Sequence, residues 1–383
     1  MLFKARPLGD RDMKVVKRIE EIRQRLKYAT GEARVWGGLL RRFAFAKAIQ
    51  GSNSIEGFDV TIEDAVAAAD NDEPLTAGGE DWAAVTSYRD AMTYVLQLAD
   101  DPHFRYSEDL IRGLHFMMMR YDLTKHPGRW RPGAIFVRDE AARKIVYEGP
   151  DAGRLPRLMA ELVEELNGPG RPPGMVNAAM AHLNLAMIHP FSDGNGRMAR
   201  ILQTLVLARE GILSPQFCSI EEYLGRYTRE YYDVLAQVGG GKWHPERDPL
   251  PWIRFCLRAH YRQANALIHR TAFMQRLADE VETEVHRRHL NPRMIMPLTE
   301  AAFGLRIRNA SYRTAADVSL HVASRDLKQL ADSGLLKTVG ERRGRLYVAS
   351  EELIRLRKSI RVPRLDDDPF AYEEDDLPGL DPS

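Results

Sequence analysis

The chain has only two cysteines, Cys218 and Cys256, among 383 residues. They stand in no CxxC or other ligand spacing, so neither a disulfide framework nor a zinc site is indicated. Both have apolar neighbours (Gln-Phe-Cys-Ser-Ile and Arg-Phe-Cys-Leu-Arg), as small core residues do. So few cysteines fit a reducing cytoplasm. An excess of one charge is also missing: 55 Lys and Arg face 54 Asp and Glu. Net charge therefore gives no pull towards nucleic acid or an acidic membrane, and local charge must be read instead. No stretch approaches about 18 uninterrupted apolar residues, so no spanning helix is expected. The start, Met1-Leu-Phe-Lys-Ala-Arg-Pro-Leu, is too polar for a signal peptide. What remains is a globular composition, 44% hydrophobic and 28% charged, with length enough for two or three domains.

Helical periodicity dominates. Residues 12–50 read as one or two long helices rich in Lys, Arg and Glu. Helices are predicted over 61–70 and 107–120, with Thr61 and Ser107 as caps and acidic residues in each first turn. Others are predicted over 82–98, 155–166, 175–188, 196–209 and 220–236, and from 251 to about 290. Between Gly128 and Pro150, Trp130-Arg-Pro-Gly-Ala-Ile-Phe-Val and Lys144-Ile-Val-Tyr gather β-formers, which suggests a small hairpin. After Pro297, helices are predicted over 299–308, 313–320 and 324–333. A hairpin follows, from Gly334-Leu-Leu-Lys-Thr-Val and Arg345-Leu-Tyr-Val with Glu341-Arg-Arg-Gly344 at its tip. Three helices and a hairpin in that order describe a winged helix-turn-helix. The acidic, proline-containing stretch 363–383 reads as disordered.

The chemistry concentrates in His189-Pro-Phe-Ser-Asp-Gly-Asn-Gly-Arg-Met-Ala-Arg200. Pro190 ends the incoming helix, and Phe191 is the one large apolar anchor of the turn. Gly194-Asn195-Gly196 allows a tight turn and close approach of a ligand. The next helix starts there, and its free N–H groups make an anion site. Arg197 and Arg200, three apart, share a helix face and can grip one phosphate chain. Asp193 is the hard oxygen ligand that Mg²⁺ beside a polyphosphate requires. His189 is poised to take a proton from a hydroxyl. A base, a metal ligand, an anion nest and two guanidiniums make a kit for phosphoryl or nucleotidyl transfer.

This segment resembles the signature of the Fic (Fido) family, HPFx[DE]GNGRxxR, at every fixed position, and the resemblance extends over about residues 35–260. It implies a mainly α fold: a helical bundle with a small β-hairpin flap, followed here by an α+β winged helix-turn-helix. It implies a protein adenylyltransferase that moves AMP from ATP to a Ser, Thr or Tyr hydroxyl of a protein, with self-modification as a further target. Mg²⁺ would be the metal, Mn²⁺ a substitute, and Asp193 its ligand. His189, Arg197 and Arg200 would be the catalytic set. Gly194, Asn195, Gly196, Arg197, Met198, Ala199 and Arg200 would line the nucleotide together with Asp193. Tyr231 and Tyr232 look like the pair that borders the adenine, although Gly239 replaces an asparagine that often follows them. Lys144, Ile145, Val146 and Tyr147 resemble the flap that lines the target peptide by strand addition.

Ser52-Asn-Ser-Ile-Glu56-Gly57 fits the family's inhibitory pattern [ST]xxxE[GN]. A helix there would aim Glu56 at Arg200 in a bidentate pair, taking the guanidinium that the γ-phosphate needs. In some similar proteins the same glutamate also serves removal of AMP. The chain thus divides into an N-terminal helical region with the inhibitory motif (1–100), a catalytic core (101–250), connecting helices (251–295), the winged module (296–362) and the acidic tail (363–383). On the winged module Arg325 and Lys328, with Arg342, Arg343 and Arg345 at the wing, suit phosphate contacts on DNA. The alternative function is therefore a DNA-binding regulator whose core senses nucleotide. A cytoplasmic protein with no membrane contact is expected, and pairing into a homodimer stays open.

Overall fold

The structure, a computed structural model, describes residues 1–29, 37–139, 143–169, 172–213, 219–340, 345–363 and 368–371. Cys218, Arg342, Arg343 and the acidic cluster Glu373–Asp376 lie outside them. The helices are α1 (Asp10–Ala29), α2 (Gly37–Ile55), α3 (Ile62–Ala69), α4 (Gly79–Gln97), α5 (Glu108–Met119), α6 (Leu155–Asn167), α7 (Gly174–Ile188), α8 (Asn195–Arg209), α9 (Glu221–Arg226), α10 (Thr228–Gly239), α11 (Leu250–Arg287), α12 (Ile295–Phe303), α13 (Asn309–Ala316), α14 (Leu320–Asp332) and α15 (Glu351–Ser359). The strands are β1 (Phe136–Asp139), β2 (Lys144–Glu148), β3 (Ile307–Arg308), β4 (Leu336–Val339) and β5 (Leu346–Ala349). The fold is mainly helical, with one two-stranded and one three-stranded antiparallel sheet. The chain forms two compact units. The first holds Met1–Arg25, Phe43–Ala264 and Asp366–Ser383, and the second Leu26–Arg42 and Asn265–Leu365.

The first unit is built around α7 and α8, which pack chiefly on each other. Thirteen of the fifteen residues of α7 are buried, including Leu183, Met187 and Ile188. A helix buried on all sides belongs in the middle of a core, so the loop that follows α7 starts from the core. Helices α4 and α5 flank α8. Thr61 and Ser107 cap α3 and α5, accepting N–H groups of Asp64 and Leu110 at 3.1 Å each. The predicted helix over 220–236 is instead two, because Tyr227 leaves helical geometry between α9 and α10. The strand expected from Trp130 begins only at Phe136. Pro132 lacks the N–H that a ladder needs, and the N–H of Arg131 goes to the Pro190 carbonyl at 2.9 Å. Of the acidic tail, residues 368–371 are described. Asp368 pairs with Arg258 at 3.1 Å, and the Phe370 ring lies 5.5 Å from the Arg258 guanidinium.

In the second unit α12 stops at Gly304, whose φ of +115° ends it short of the predicted Arg308. α13 and α14 accordingly start earlier than predicted, at Asn309 and at Leu320 behind the cap Ser319. The turn between them passes through Asp317 in left-handed geometry. Asp326, fully buried on α14, is gripped by Arg293 through two bonds of 2.5 and 2.9 Å and by the Tyr312 hydroxyl at 3.0 Å. Strand order β3-β5-β4 closes the unit beside the helices. Arg325 and Lys328 are exposed on α14, Lys328 within 3.2 Å of Asp332.

Candidate active site

The His189–Arg200 segment is the loop from α7 into α8, both in the first unit. His189 caps α7 in left-handed geometry, φ +51°, an uncommon conformation for a residue with a side chain. Its ring Nδ1 lies 3.0 Å from the Ala186 carbonyl. A carbonyl can only accept, so Nδ1 carries the proton and Nε2 is left with its lone pair free. Burial, together with the nearby Arg131, pulls the imidazole pKa below its ordinary value despite that carbonyl. The ring is therefore neutral near pH 7, as a base must be.

Phe191 is fully buried and stacks flat on His115, with centroids 3.6 Å apart. Asn195 clamps the loop: its Oδ1 accepts the Phe191 N–H and its Nδ2 donates to the Phe191 carbonyl, both at 2.9 Å. The Asn195 side chain is thereby spent on shaping the loop and is not offered to a ligand. Met198 and Ala199 likewise point into the core with no exposure. Gly194 has φ +73°, a left-handed conformation that favours glycine, and a Cβ there would press on the Met118 and Met119 side chains at 2.9 Å. Its N–H is taken by Asp193 Oδ1 at 2.6 Å. No side chain caps α8. Asn195, Gly196 and Arg197 thus present the first amides of a fifteen-residue helix, with its positive end, to whatever sits above them.

Glu56 lies beside that first turn. A Cβ on Gly196 would be 2.5 Å from Glu56 Oε1, so the carboxylate packs against Gly196 on the face that Arg200 shares. The same oxygen accepts from Arg200 Nη2 at 2.6 Å. Glu56 follows the last turn of α2, where a helix dipole disfavours negative charge, and its placement is explained by Arg200 and the start of α8. Arg200, 1% exposed, also donates to Ser52 through Nε to Oγ (2.7 Å) and Nη2 to the carbonyl (3.0 Å), and through Nη1 to the Tyr231 hydroxyl (3.5 Å). Burial works against its charge, but the Glu56 carboxylate and the phenols of Tyr231 and Tyr88 together outweigh this and its pKa rises. The expected bidentate Glu56–Arg200 pair is not formed. A single carboxylate oxygen makes the contact, because Ser52 and Tyr231 hold the rest of the guanidinium. Gly57, with φ +83°, turns the chain away after Glu56.

Arg197, 2% exposed, lies in an aromatic cage: 4.9 Å from the Phe58 ring and 5.7 Å from the Tyr121 ring, with Nη1 donating to the Tyr121 hydroxyl at 3.0 Å. Both arginines therefore meet the 52–58 segment. Asp193 keeps 45% of its side chain exposed, with Lys125 Nζ 3.6 Å from Oδ2. The two tyrosines part company. Tyr231 is buried, while Tyr232 is 46% exposed with its hydroxyl 3.5 Å from the Ile55 carbonyl. The flap hairpin stands over the loop. Lys144 and Ile145 are exposed, Val146 is half-buried, and Tyr147 turns inward to donate to the Met187 carbonyl at 2.8 Å.

Three side chains not singled out in the sequence complete the site. His115 Nε2 donates to the Asp193 carbonyl (3.0 Å) and Nδ1 accepts the Gly128 N–H (2.9 Å), and burial lowers its pKa to about 4. Arg131, 4% exposed, donates to the His189 carbonyl at 2.8 Å and to the Pro150 carbonyl at 2.5 Å, tying the base to the flap. Tyr121 holds Arg197. No local pattern marks them, because the loop atoms they hold lie 58 to 78 residues away in sequence.

The Fic/DOC family model matches residues 105–207, the stretch from just before α5 to the end of α8. Over that stretch the chain carries a Fic/DOC domain. Among curated proteins it is similar to protein adenylyltransferase Fic of Nematostella vectensis, with 25% identity over 237 residues, 59% of this chain and 49% of that one. It is also similar to protein adenylyltransferase fic-1 of Caenorhabditis elegans, with 56% identity over 79 residues, 20% of this chain and 13% of that one. The chain thus spans half the length or less of these relatives. Among solved structures, a Fic family protein from Desulfovibrio desulfuricans G20 has a TM-score of 0.57 at 22% identity, over 91% of this chain and 99% of that one. C. elegans Fic-1 has a TM-score of 0.52 at 20% identity, over 67% of this chain and 72% of that one. These likenesses show the fold. No described helix is long and apolar enough to cross a membrane.

Proposed function

We infer that this protein is an adenylyltransferase that moves AMP from ATP to a hydroxyl of a protein and is restrained by its own Glu56. One observation carries this: a carboxylate packs against the first turn of α8, whose start no side chain caps, and pairs with a buried arginine of the same helix. That seat suits a polyphosphate, and Glu56 fills it with a stand-in anion. The names of the curated relatives point to the same chemistry. With Glu56 withdrawn, Arg200 is released to the distal phosphates and the first amides of α8 to the chain of phosphates. His189 Nε2 accepts the proton of the incoming hydroxyl. The hydroxyl oxygen forms a bond to the α-phosphorus, and the α–β bridge breaks to release pyrophosphate. The exposed edge of Lys144–Tyr147 is placed to align an extended target segment.

The described residues contain no cluster of three metal-ligating side chains. One exposed carboxylate beside a phosphate seat is nevertheless a fitting donor set for Mg²⁺, which takes few protein ligands when phosphates supply the rest. Lys125 Nζ stands 3.6 Å from Asp193 Oδ2, a cation contact that the metal would replace. Asp193 would hold Mg²⁺ or Mn²⁺, which would neutralise charge on the phosphates when bound.

Mass spectrometry of Glu56→Gly after incubation with ATP and Mg²⁺ tests this reading. An AMP adduct on a Ser, Thr or Tyr of the protein or of an added target is expected, greatly reduced in the parent. No adduct on any protein, with a cell extract supplied as target, contradicts it. The second reading, a DNA-binding regulator, is favoured by one observation: exposed Arg325 and Lys328 on a helix that follows a tight turn.

A further inference from the structure

Behind Arg200 lies a set of buried polar side chains that the chemistry above does not use. His182 on α7, Gln203 on α8 and Tyr231 on α10 are 0%, 2% and 1% exposed. His182 Nδ1 is 2.6 Å from Gln203 Oε1, and its Nε2 is 3.0 Å from the Tyr231 hydroxyl. That hydroxyl is 3.5 Å from Arg200 Nη1. Arg200 and Gln203 are one turn apart on α8, so the bonds close a ring through three helices. Trp252 braces it, with its ring 4.9 Å from His182 and 6.0 Å from Tyr231.

The polarity of the ring is forced. A guanidinium only donates, so the Tyr231 oxygen accepts from Arg200. Its O–H is then free to donate to His182 Nε2, which must hold a lone pair. His182 therefore carries its proton on Nδ1 and gives it to Gln203 Oε1. Burial and the Arg200 charge keep this imidazole neutral, its pKa lowered to about 3, and burial pushes the Tyr231 phenol up to about 12. Every member is thus fixed in one orientation over the pH range of interest. Of the groups that hold Arg200, Ser52 and Glu56 belong to the 52–57 segment, whereas Tyr231 belongs to α10. When that segment withdraws, Tyr231 is the contact that stays.

We propose that His182 and Tyr231 are positioning residues that hold Arg200 ready for the distal phosphates of the nucleotide once Glu56 has left. The proposal rests on the nucleotide reading above. It assigns Tyr231 to the arginine and leaves adenine contact to the exposed Tyr232. The test measures binding of ATP and of AMP, each with Mg²⁺, to Glu56→Gly protein by titration calorimetry, with the melting temperature followed in parallel. Adding Tyr231→Phe should weaken ATP about tenfold, the size of one hydrogen bond to a charged group, and leave AMP within about twofold. Because Tyr231→Phe orphans His182 Nε2, the paired change Tyr231→Phe with His182→Leu removes donor and acceptor together. It should show the same ATP-selective loss. A loss shared equally by ATP and AMP, or no loss, overturns the proposal. Arg200→Ala in the same background separates the two ideas. If it weakens ATP and Tyr231→Phe does not, only the positioning role fails. If it leaves both nucleotides unchanged, the polyphosphate reading of Arg200 fails and the positioning role falls with it.

Discussion

Gly51 offers a way to disturb the restraint without touching any charged group. It lies on α2 one residue before Ser52, where α2 meets α9. A Cβ added to Gly51 would stand 2.4 Å from the Glu221 carbonyl oxygen and 2.9 Å from its carbon. A Cβ on Gly225, opposite, would meet Gly51 Cα at 2.7 Å. All these are backbone atoms, so no side chain can turn aside. Ordinary contact begins at 3.4 Å, so α2 must retreat by about 1 Å to take Gly51→Ala, and overpacking of this kind costs about 1–3 kcal/mol. Carried along α2, the same retreat would stretch the 2.6 Å Glu56–Arg200 contact beyond hydrogen-bonding range. A hydrogen bond between charged partners is worth about 1.5–3 kcal/mol, and each 1.36 kcal/mol is about tenfold in rate. Gly51→Ala should therefore raise self-labelling from α-³²P-ATP by about 10- to 100-fold, approaching Glu56→Gly. The helix itself is not weakened, since alanine favours helix by about 1 kcal/mol over glycine. A folded Gly51→Ala protein that labels no faster than the parent would refute the idea that the seating of α2 sets the restraint.

Other expectations follow from the same geometry. Because the His189 pKa is lowered, the base keeps its lone pair to a lower pH than an ordinary histidine, and the acid limb of the pH–rate profile of Glu56→Gly should lie below the ordinary histidine value. A limb at or above about pH 6.5 would show that another group, or a different His189 environment, governs the rate. His115, His182 and His260 have folded pKa values lowered to about 4, 3 and 3. Between those values and about 6.5 the unfolded chain binds more protons, so stability is full above pH 6.5 and lost as pH falls, by about 1.4 kcal/mol per pH unit for each group. A urea midpoint that holds steady from pH 7 to 5 would deny this. Asn195→Ala strands a buried N–H and a buried carbonyl of Phe191, costing about 1–3 kcal/mol for each. It should lower both the melting temperature and the transfer rate of Glu56→Gly, and an unchanged melting temperature would count against the loop clamp. For the second unit, gel shifts with duplex DNA at two salt concentrations, comparing the parent with Arg325→Ala/Lys328→Ala, decide the regulator reading: identical migration removes it.

The stretch from His189 to Arg200 was legible because its parts are contiguous. A helix stop, an anchoring aromatic, two glycines and a helix start follow one another within twelve residues, and local rules suffice for each. The meeting of Ser52 and Glu56 with Arg200 was legible only through resemblance, since no local pattern says which distant helix a carboxylate faces. Its geometry was misread as bidentate because Ser52 and Tyr231, which compete for the guanidinium, could not be placed. The Asn195 backbone amide still opens α8, and what the sequence did not disclose is that its side chain clamps the loop on Phe191. His115 and Arg131 reach the loop through carbonyls 78 and 58 residues away, and His182 acts through partners 21 and 49 away; periodicity marks them only as polar residues on helices or loops. Helix ends in the second unit moved by several residues where one residue decided: Gly304 ends α12, and Ser319 starts α14.

The most direct test of adenylyl transfer compares ATP labelled at the α-phosphate with ATP labelled at the γ-phosphate, using Glu56→Gly and Glu56→Gly/His189→Ala. Protein-bound label is expected from the α-phosphate alone and is lost when His189 is removed. Label arriving from the γ-phosphate, or label that persists undiminished without the imidazole, would contradict it.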